Sequence, residues 1–570
     1  MSRPAAALAA AFAVLALFAH GIDKKDKEPP PPRADRIFLH GNVWTGDPAR
    51  PIATALAVRG PRILAIGSDL EIAHHSGVGT QATNLKGGWV FPGFNDAHLH
   101  FLVLDSLDLA GIDSLDGIEH AIADYAKAHP EKAWIEGRGW GAAAFPGGAP
   151  NRRILDALVA DKPAFLGDRD AHTAWCNSKA LALAGITKAT LDPPYGVVVR
   201  DNQGEPTGLL KEAARDLVEI LIPPPNAEER YQALKRLLDR AASYGLTSVQ
   251  NASWRRDELA SFERVMDEGG LKVRFSFATP FVKNITEEDL AYYNQLREKY
   301  TGPLLKFGAV KGMLDGVVDM QTAAMFEPYV GGGNAPPHWT QQELNRTAVF
   351  YDENGFQILL HAIGDRAINM ALNAYEFVKR TNPERDRRHR VEHIEVPRLS
   401  DIPRFKELGV VASTQALFAN PDKTTLENYA VLLGPERASR ANAFKLFDDA
   451  GAVQAFGSDF PVFSMEALKG IYCAVTRTTP AGTPVGGFYP ANRISAEAAL
   501  RHFTIDAAYA SFDEKDKGTL SVDKLADFVV LSENILEPPP ERILKAKVLL
   551  TVLGGGDTFR APEFGPDPKQ

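Results

Sequence analysis

The stretch that decides the fold is residues 89–100, which read Trp-Val-Phe-Pro-Gly-Phe-Asn-Asp-Ala-His-Leu-His. It begins as an apolar run, as a fully buried strand does. Side chains at positions i and i+2 of a strand lie on the same side, so His98 and His100 can offer both imidazoles to one ion while Leu99 packs the other way. Taken alone, this pair fits a polar strand end as well as a metal site. Residues farther along the chain decide between the two.

The composition is that of an ordinary globular enzyme. The chain has 570 residues, enough for two to four domains, with 45% hydrophobic and 24% charged residues. Its net charge is −9 and the sequence has no basic stripe, which argues against a nucleic-acid partner. Cys176 and Cys473 lack the spacing of a metal site, and we expect two buried thiols unless an exported chain pairs them.

The N-terminus has the pattern of a targeting signal. Arg3 precedes an apolar run over residues 5–19, and small residues stand at 19 and 21. We therefore expect a signal peptide over 1–21 and a charged, proline-rich linker over 22–34. The predicted mature protein is periplasmic or secreted and leaves the membrane after cleavage. An uncleaved membrane anchor is the alternative.

Apolar strand patterns alternate with helical patterns through most of the chain, which is typical of a parallel α/β architecture. Together with the strand that ends at His98 they number eight, which predicts a closed, TIM-like (β/α)8 barrel. The other seven predicted strands are Leu246–Asn251, Val273–Ala278, Lys306–Leu314, Gln357–His361, Arg390–Glu395, Val410–Gln415 and Val453–Asp459.

Short strands broken by turn residues occur at both ends of the chain, and one small β-sandwich built from both ends accounts for them. The region between 112 and 235 has strands and helices of its own and is predicted to be an insertion after the first barrel strand. The expected domains are a β-sandwich over 35–90 and 513–565, a barrel over 91–111 and 236–512, and the insertion over 112–235.

Five predicted barrel strands end in residues that suit a metal site, and barrel enzymes place their chemistry at these C-terminal strand ends. Imidazole suits zinc and similar ions, and a carboxylate among histidines leaves a position open for water. A lysine ammonium has no lone pair to donate, so lysine could join only as a carbamate formed with carbon dioxide. The residues are His98, His100, Lys311, His361, His393 and Asp459.

Each of these residues has an ordinary structural interpretation. His361 alone fits a hydrogen-bonded histidine, and Lys311 alone fits a surface charge. Asp459 could cap a following helix, and we expect that role for Asp365. Only the joint pattern favours a metal site.

Several motifs resemble those of the amidohydrolase superfamily, in particular its family-3 branch, which includes the N-substituted formamide deformylases. The resemblance covers roughly residues 35–560 and implies a barrel, a two-part β-sandwich and a hydrolytic site with one or two metals. It rests on residues 92–100, on Lys311 followed by Asp315-Gly316, and on residues 361–367, 391–393, 457–461 and 525–531.

Position by position, the resemblance implies the roles of individual residues. His98, His100 and Asp459 resemble ligands of an inner metal, His361 and His393 those of an outer metal, and Lys311 a carboxylated bridge. Lys306 competes with Lys311 but lacks the Asp-Gly that follows at the family spacing. His172, in the segment 168–177, resembles a substrate-facing residue, and a structural loop histidine is the equal alternative.

The expected function is hydrolysis of a C–N bond in a small-molecule amide or N-acyl compound that is not a peptide. Asp459 is the expected general base and His172 a second catalytic residue, with one or two Zn²⁺ ions, or Mn²⁺ or Fe²⁺, as cofactors. The alternatives are the same site acting on a lactone, ester or phosphotriester or in deamination, and an exported metal-binding protein without turnover. The sequence leaves open whether the protein forms a homo-oligomer.

Overall fold

The structure is a computed structural model that describes residues 31–101, 106–170 and 172–565. The predicted signal peptide and most of the predicted linker lie outside these residues. In the described parts of the chain, no helix is long and apolar enough to cross a membrane.

The N-terminal part forms two small sheets. Its seven strands and one helix are β1 (Arg36–Leu39), β2 (Asn42–Trp44), β3 (Ile52–Ala53), β4 (Ala55–Arg59), β5 (Arg62–Gly67), α1 (Asp69–Ala73), β6 (Gln81–Asn84) and β7 (Trp89–Pro92). One sheet has the order β5-β4-β1-β6, while β3, β2 and β7 belong to a second sheet.

The barrel begins at β8 (Phe94–Leu99), immediately after β7. The two strands are separated only by Gly93, yet β7 pairs within the small second sheet and β8 pairs with a barrel strand. A Cβ at position 93 would lie 2.2 Å from Oγ1 of Thr247, so only glycine allows the chain to turn this closely from one sheet into the other. The stretch 89–100 is therefore two strands in two sheets.

An insertion with its own six-stranded sheet follows β8, in the order β13-β14-β12-β11-β10-β9. The predicted start of the insertion, at residue 112, falls after the first strand of this sheet. Its elements are β9 (Leu107–Asp108), α2 (Leu115–Ala128), β10 (Ile135–Trp140), α3 (Arg152–Leu158), β11 (Ala164–Asp168), β12 (Thr173–Cys176), α4 (Ser178–Leu183), β13 (Gly196–Arg200), β14 (Pro206–Glu212) and α5 (Asp216–Glu219).

The chain returns to the barrel through α6 (Ala227–Ser243), so the predicted boundary at 235 falls inside a helix. Asn226 caps this helix, because its side chain accepts a hydrogen bond from the Glu229 N–H and Glu229 reciprocates. The buried face of α6, which includes Leu234 and Leu238, packs in one cluster with β8 and with the next two barrel strands, Leu246–Asn251 and Arg274–Pro280.

Seven further parallel strands complete the barrel: β15 (Leu246–Asn251), β16 (Arg274–Pro280), β17 (Leu305–Met313), β18 (Gln357–Ala362), β19 (Arg390–His393), β20 (Val411–Gln415) and β21 (Gln454–Gly457). With β8 they form one sheet in sequence order, so the predicted (β/α)8 barrel is confirmed. The intervening helices are α7 (Leu259–Asp267), α8 (Glu287–Lys299), α9 (Gln341–Glu353), α10 (Asp365–Thr381), α11 (Ile402–Leu408), α12 (Ala430–Ser439) and α13 (Phe444–Ala450).

Hydrogen bonds join the first and last strands of the barrel beside the candidate metal ligands. The Asp459 N–H donates to the carbonyl of His98 over 2.7 Å, and the Ser458 N–H donates to Oδ1 of Asp96 over 2.9 Å. The His100 N–H donates to the carbonyl of Phe460 over 2.7 Å. The barrel is therefore closed at the C-terminal ends of β8 and β21.

The C-terminal part completes the second small sheet. After α14 (Ala467–Thr476), α15 (Ala496–His502) and α16 (Ile505–Ala510), the chain forms β22 (Phe528–Leu531), α17 (Glu541–Lys545), β23 (Val548–Leu553) and β24 (Gly556–Arg560). Strand β22 pairs with β7, so the sheet has the order β24-β23-β22-β7-β2-β3. One buried cluster lies between the two small sheets, with the rings of Phe38 and Phe528 5.0 Å apart, which confirms a sandwich built from both chain ends.

The two cysteines are buried and free, with Cys176 in β12 of the insertion and Cys473 in α14. The expectation of buried small residues is confirmed, and the two thiols do not pair with each other.

A buried ion pair fastens the sandwich to the barrel, and its loss should destabilise the protein strongly. Nε of Arg274, in β16, donates to Oδ2 of Asp527 over 2.6 Å, and Oδ1 of Asp527 also accepts from the Gly554 N–H over 2.7 Å. Asp527→Ala leaves a buried guanidinium unpaired, so we expect a loss of about 3–5 kcal/mol, measured as a lower midpoint of chemical unfolding.

The matched control is the exposed ion pair between Arg62 and Asp516, 2.8 Å apart and nearly half exposed on both sides. Asp516→Ala should change the unfolding free energy by less than about 1 kcal/mol. Equal effects of the two substitutions would contradict the assigned role of Asp527.

Candidate metal centre and active site

A cavity of about 670 Å³ lies at the C-terminal ends of the barrel strands. The barrel contributes His100, Lys311, His361, His393 and Asp459 to its wall. The insertion contributes the facing wall, with Arg138, Asp168, His172 and Glu212 among its residues. The cavity is therefore shared between barrel and insertion.

Three of the six predicted ligands converge on one point. The ligand atoms of His98, His100 and Asp459 all lie within 4.8 Å of one another. Oδ1 of Asp459 is 3.4 Å from Nε2 of His98 and 3.1 Å from Nε2 of His100. Nε2 of His98 and Oδ1 of Asp459 are buried and have no hydrogen-bond partner. These two buried polar atoms face each other and have no other partner, so both could be ligands of one divalent ion.

A buried ionic network fixes the orientation of His98. Its Nδ1 lies 2.5 Å from Oε2 of Glu392, and Nε of Arg390 donates to Oε1 of the same carboxylate over 2.8 Å. Burial acts to raise the pKa of Glu392, but the charges of Arg390 and His98 outweigh it and hold that pKa below its usual range. An ionised carboxylate only accepts, so Nδ1 of His98 carries a proton, and a bound metal ion would take the lone pair of Nε2 in place of a second proton.

His361 and His393 stand beside this group, with ring centres 4.4 Å apart and His393 4.8 Å from His98. Nδ1 of His393 donates to Oε1 of Gln415 over 2.9 Å, and Nε2 of His361 donates to the carbonyl of Gly316 over 3.2 Å. Each ring therefore keeps its other nitrogen for a ligand.

Burial lowers the pKa of both histidines, to about 3 for His393, so both are neutral at pH 7. Neutral imidazole is the form that binds metals. The chemistry of His361 and His393 thus suits an outer ion, although they lie outside the compact group of three.

Lys311 reaches the cavity from β17. Its Nζ lies 3.5 Å from Sδ of Met313, and no carboxylate of the described residues is within 4 Å of it. Burial lowers the pKa of the Lys311 amine, the direction that favours a neutral and reactive nitrogen. Lys306, its competitor, instead pairs with Asp513 and the carbonyl of Ser511 and does not line the cavity.

The backbone at two of these residues is strained. His393 has φ = 74° and Asp459 has φ = 55°, in the left-handed region that residues other than glycine rarely adopt. Each costs about 1 kcal/mol or more, and such strain concentrates at functional sites.

The two helix-capping interpretations are wrong. The next helix after Asp459, α14, begins only at Ala467, and the carboxylate of Asp459 contacts histidines instead. Asp365 is the first residue of α10 and Gly364 precedes it as the cap. The Asp365 carboxylate accepts from the Phe326 N–H over 2.8 Å and so holds a loop.

His172 faces the cavity from the insertion. Its Nδ1 lies 2.9 Å from Oε2 of Glu212, and its ring centre is 5.7 Å from that of His361. Burial acts to lower the pKa of His172, but the neighbouring Glu212 raises it. The placement agrees with a residue that faces substrate.

Sequence reasoning missed Arg390, Glu392 and Glu212. Arg390 and Glu392 alternate with Val391 in a buried strand, so two charged residues on one face were a usable signal. Glu212 ends an insertion strand with no distinguishing pattern, and only the fold brings it to His172.

Glu392→Gln tests the orienting network. The amide cannot replace an ionised acceptor between His98 and Arg390, so we expect metal affinity to fall about 10- to 100-fold, measured by titration with Zn²⁺.

Glu395→Gln is the matched control. Burial raises the pKa of Glu395 to about 8, so its side chain is neutral at pH 7 and an amide resembles it closely. This variant should bind the metal as the wild type does. A Glu392→Gln protein with wild-type affinity would refute the orienting role.

Comparisons with known proteins agree with this geometry. A family model described as "Amidohydrolase family" matches residues 81–557. The protein LONG AFTER FAR-RED 3 of Arabidopsis thaliana is 33% identical over 540 residues, 92% of each chain. The N-substituted formamide deformylase of Arthrobacter pascens is 27% identical over 540 residues, 91% of this chain and 97% of that protein. The solved structure of an uncharacterized metal-dependent hydrolase from Pyrococcus furiosus has a TM-score of 0.67 at 25% identity, covering 88% of this chain and 100% of that one.

Proposed function

We propose that this chain, which belongs to the amidohydrolase family, is a metal-dependent hydrolase that cleaves a C–N bond of a small amide or N-acyl compound. The observation that carries the proposal is the group of His98, His100 and Asp459, whose buried facing atoms lack partners inside a cavity shared by barrel and insertion. The relative that is named an N-substituted formamide deformylase supports the choice of bond.

His98, His100 and Asp459 would hold an inner ion, and His361 and His393 an outer one. Zn²⁺ suits these donors, and Mn²⁺ or Fe²⁺ are the alternatives. Lys311, as a carbamate, would bridge the two positions, and its place in the cavity without a carboxylate partner supports that assignment. A bound ion would polarise both the scissile carbonyl and a water molecule.

Asp459 is the proposed general base. Asp459 lines the cavity, and its backbone at the strand end has φ = 55°. In amide hydrolysis the water oxygen forms the new bond to the carbonyl carbon and the C–N bond breaks. Asp459 accepts one proton from the water and returns it to the leaving nitrogen, so the products are a carboxylic acid and an amine. His172 would contact the substrate from the insertion.

Asp459→Asn tests the general base. The amide keeps the size of the side chain but loses its basicity, so we expect the turnover of formanilide to fall at least about 100-fold. The release of aniline measures this turnover. The matched control is Asp365→Asn, at the same rim but outside the cavity, which should stay within a few-fold of wild type. Asp459→Asn turnover within a few-fold of wild type would show that the proton goes elsewhere.

We also propose export, supported by Arg3 and the apolar run over residues 5–19. The mature protein should be found outside the cytoplasm and should begin after residue 21, which N-terminal sequencing measures. A cytoplasmic chain that still begins at Met1 would contradict export.

A further inference from the structure

His172 and Glu212 form a side-chain pair that belongs to the insertion. The pair faces the proposed metal ligands of the barrel across the cavity. Their side chains meet over 2.9 Å, between Nδ1 of His172 and Oε2 of Glu212. Their backbones also meet, because the Glu212 N–H donates to the carbonyl of His172 over 2.8 Å. Both side chains are only about one-eighth exposed and both line the cavity.

The pair continues a row of imidazoles across the cavity. The ring centres of His98 and His393 are 4.8 Å apart, those of His393 and His361 are 4.4 Å apart, and those of His361 and His172 are 5.7 Å apart. His172 therefore stands at the end of the row away from the proposed inner metal. With Nδ1 held by Glu212, its Nε2 is the nitrogen left to contact a substrate.

Glu212 also packs against the barrel loop that holds His361. A Cβ at position 316 would lie 2.6 Å from Oε1 of Glu212, so the carboxylate rests directly on Gly316. The carbonyl of Gly316 is the group that accepts the hydrogen bond of His361. One carboxylate thus fixes His172 and touches the segment that orients a proposed outer-metal ligand.

The backbone of Glu212 is itself strained, with φ = 48°. A glutamate gains nothing intrinsic from this left-handed conformation, which costs about 1 kcal/mol or more. Asparagine or glycine would adopt this conformation with less strain, so the backbone conformation alone does not explain a glutamate at this position.

We propose that Glu212 is a positioning residue that holds His172 with Nε2 toward the substrate, and that the insertion is therefore a required half of the active site. This inference rests on the proposed hydrolytic function. The competing role is structural, in which the pair merely ends the ladder between β12 and β14.

Kinetics of Glu212→Ala separate these roles. A misplaced His172 should lower kcat for formanilide about 10- to 100-fold while KM, zinc content and the melting temperature stay near wild type. Glu212→Gln keeps an oxygen acceptor for Nδ1 and should recover at least about tenfold over Glu212→Ala. A loss of melting temperature without a specific fall in kcat would overturn the proposal in favour of the structural role.

The matched control is Asp192→Ala, which also truncates an ion-paired carboxylate of the insertion. Asp192 lies 2.9 Å from Arg200 and outside the cavity. Its substitution should leave kcat unchanged. An equal fall of kcat in Asp192→Ala and Glu212→Ala would overturn a specific role for Glu212.

Crystal structures of the zinc-loaded wild type and Glu212→Ala give a readout that does not depend on activity. The His172 ring should rotate or lose order in the variant, while His361 and His393 keep their places. An unmoved His172 ring would overturn the proposal whatever the kinetics. Wild-type protein that hydrolyses no formanilide, combined with a displaced His172 ring, would instead contradict the proposed substrate class and leave the positioning role supported.

Discussion

The site depends on the closure of the barrel between its first and last strands. The hydrogen bond from the Asp459 N–H to the carbonyl of His98, 2.7 Å long, joins residues from nearly opposite ends of the barrel sequence. Without it, the carboxylate of Asp459 would not meet the imidazoles of His98 and His100. The left-handed backbone at Asp459 is tolerated because the surrounding closure bonds determine it. Closure therefore turns three ordinary side chains into one ligand group.

The buried charges of Glu392 and Arg390 explain how His98 keeps its orientation before a metal ion binds. Glu392 is completely buried, and such a carboxylate is tolerated only with partners on both oxygens. Arg390 supplies one partner and His98 the other. This arrangement fixes one nitrogen of His98 as a donor and leaves the second for a metal. The protein thus uses a buried ion pair to set the direction of a single lone pair.

Much of the fold was predictable from local pattern, because buried parallel strands are apolar runs that end in polar residues. Strand β15 was predicted with its observed bounds, Leu246–Asn251, and the six predicted ligands lie at or beside the C-terminal ends of barrel strands. The predicted boundary between residues 90 and 91 falls inside β7, because the exact position of the division, at Gly93, depends on the pairing of β7 with β22 near the other end of the chain. The role of Glu212 was not predicted for the same reason. Its role arises from contacts with His172 and Gly316 that no local spacing encodes.

The most direct test of the proposed metal centre is the position of the ion in crystals of the zinc-loaded protein, measured by anomalous diffraction at the zinc edge. We predict a peak within bonding distance of His98, His100 and Asp459. We also predict a second peak beside His361 and His393, with density for a carbamate on Lys311 between the two. Zinc bound elsewhere, with no peak at His98, His100 and Asp459 in a protein that is active, would contradict this centre.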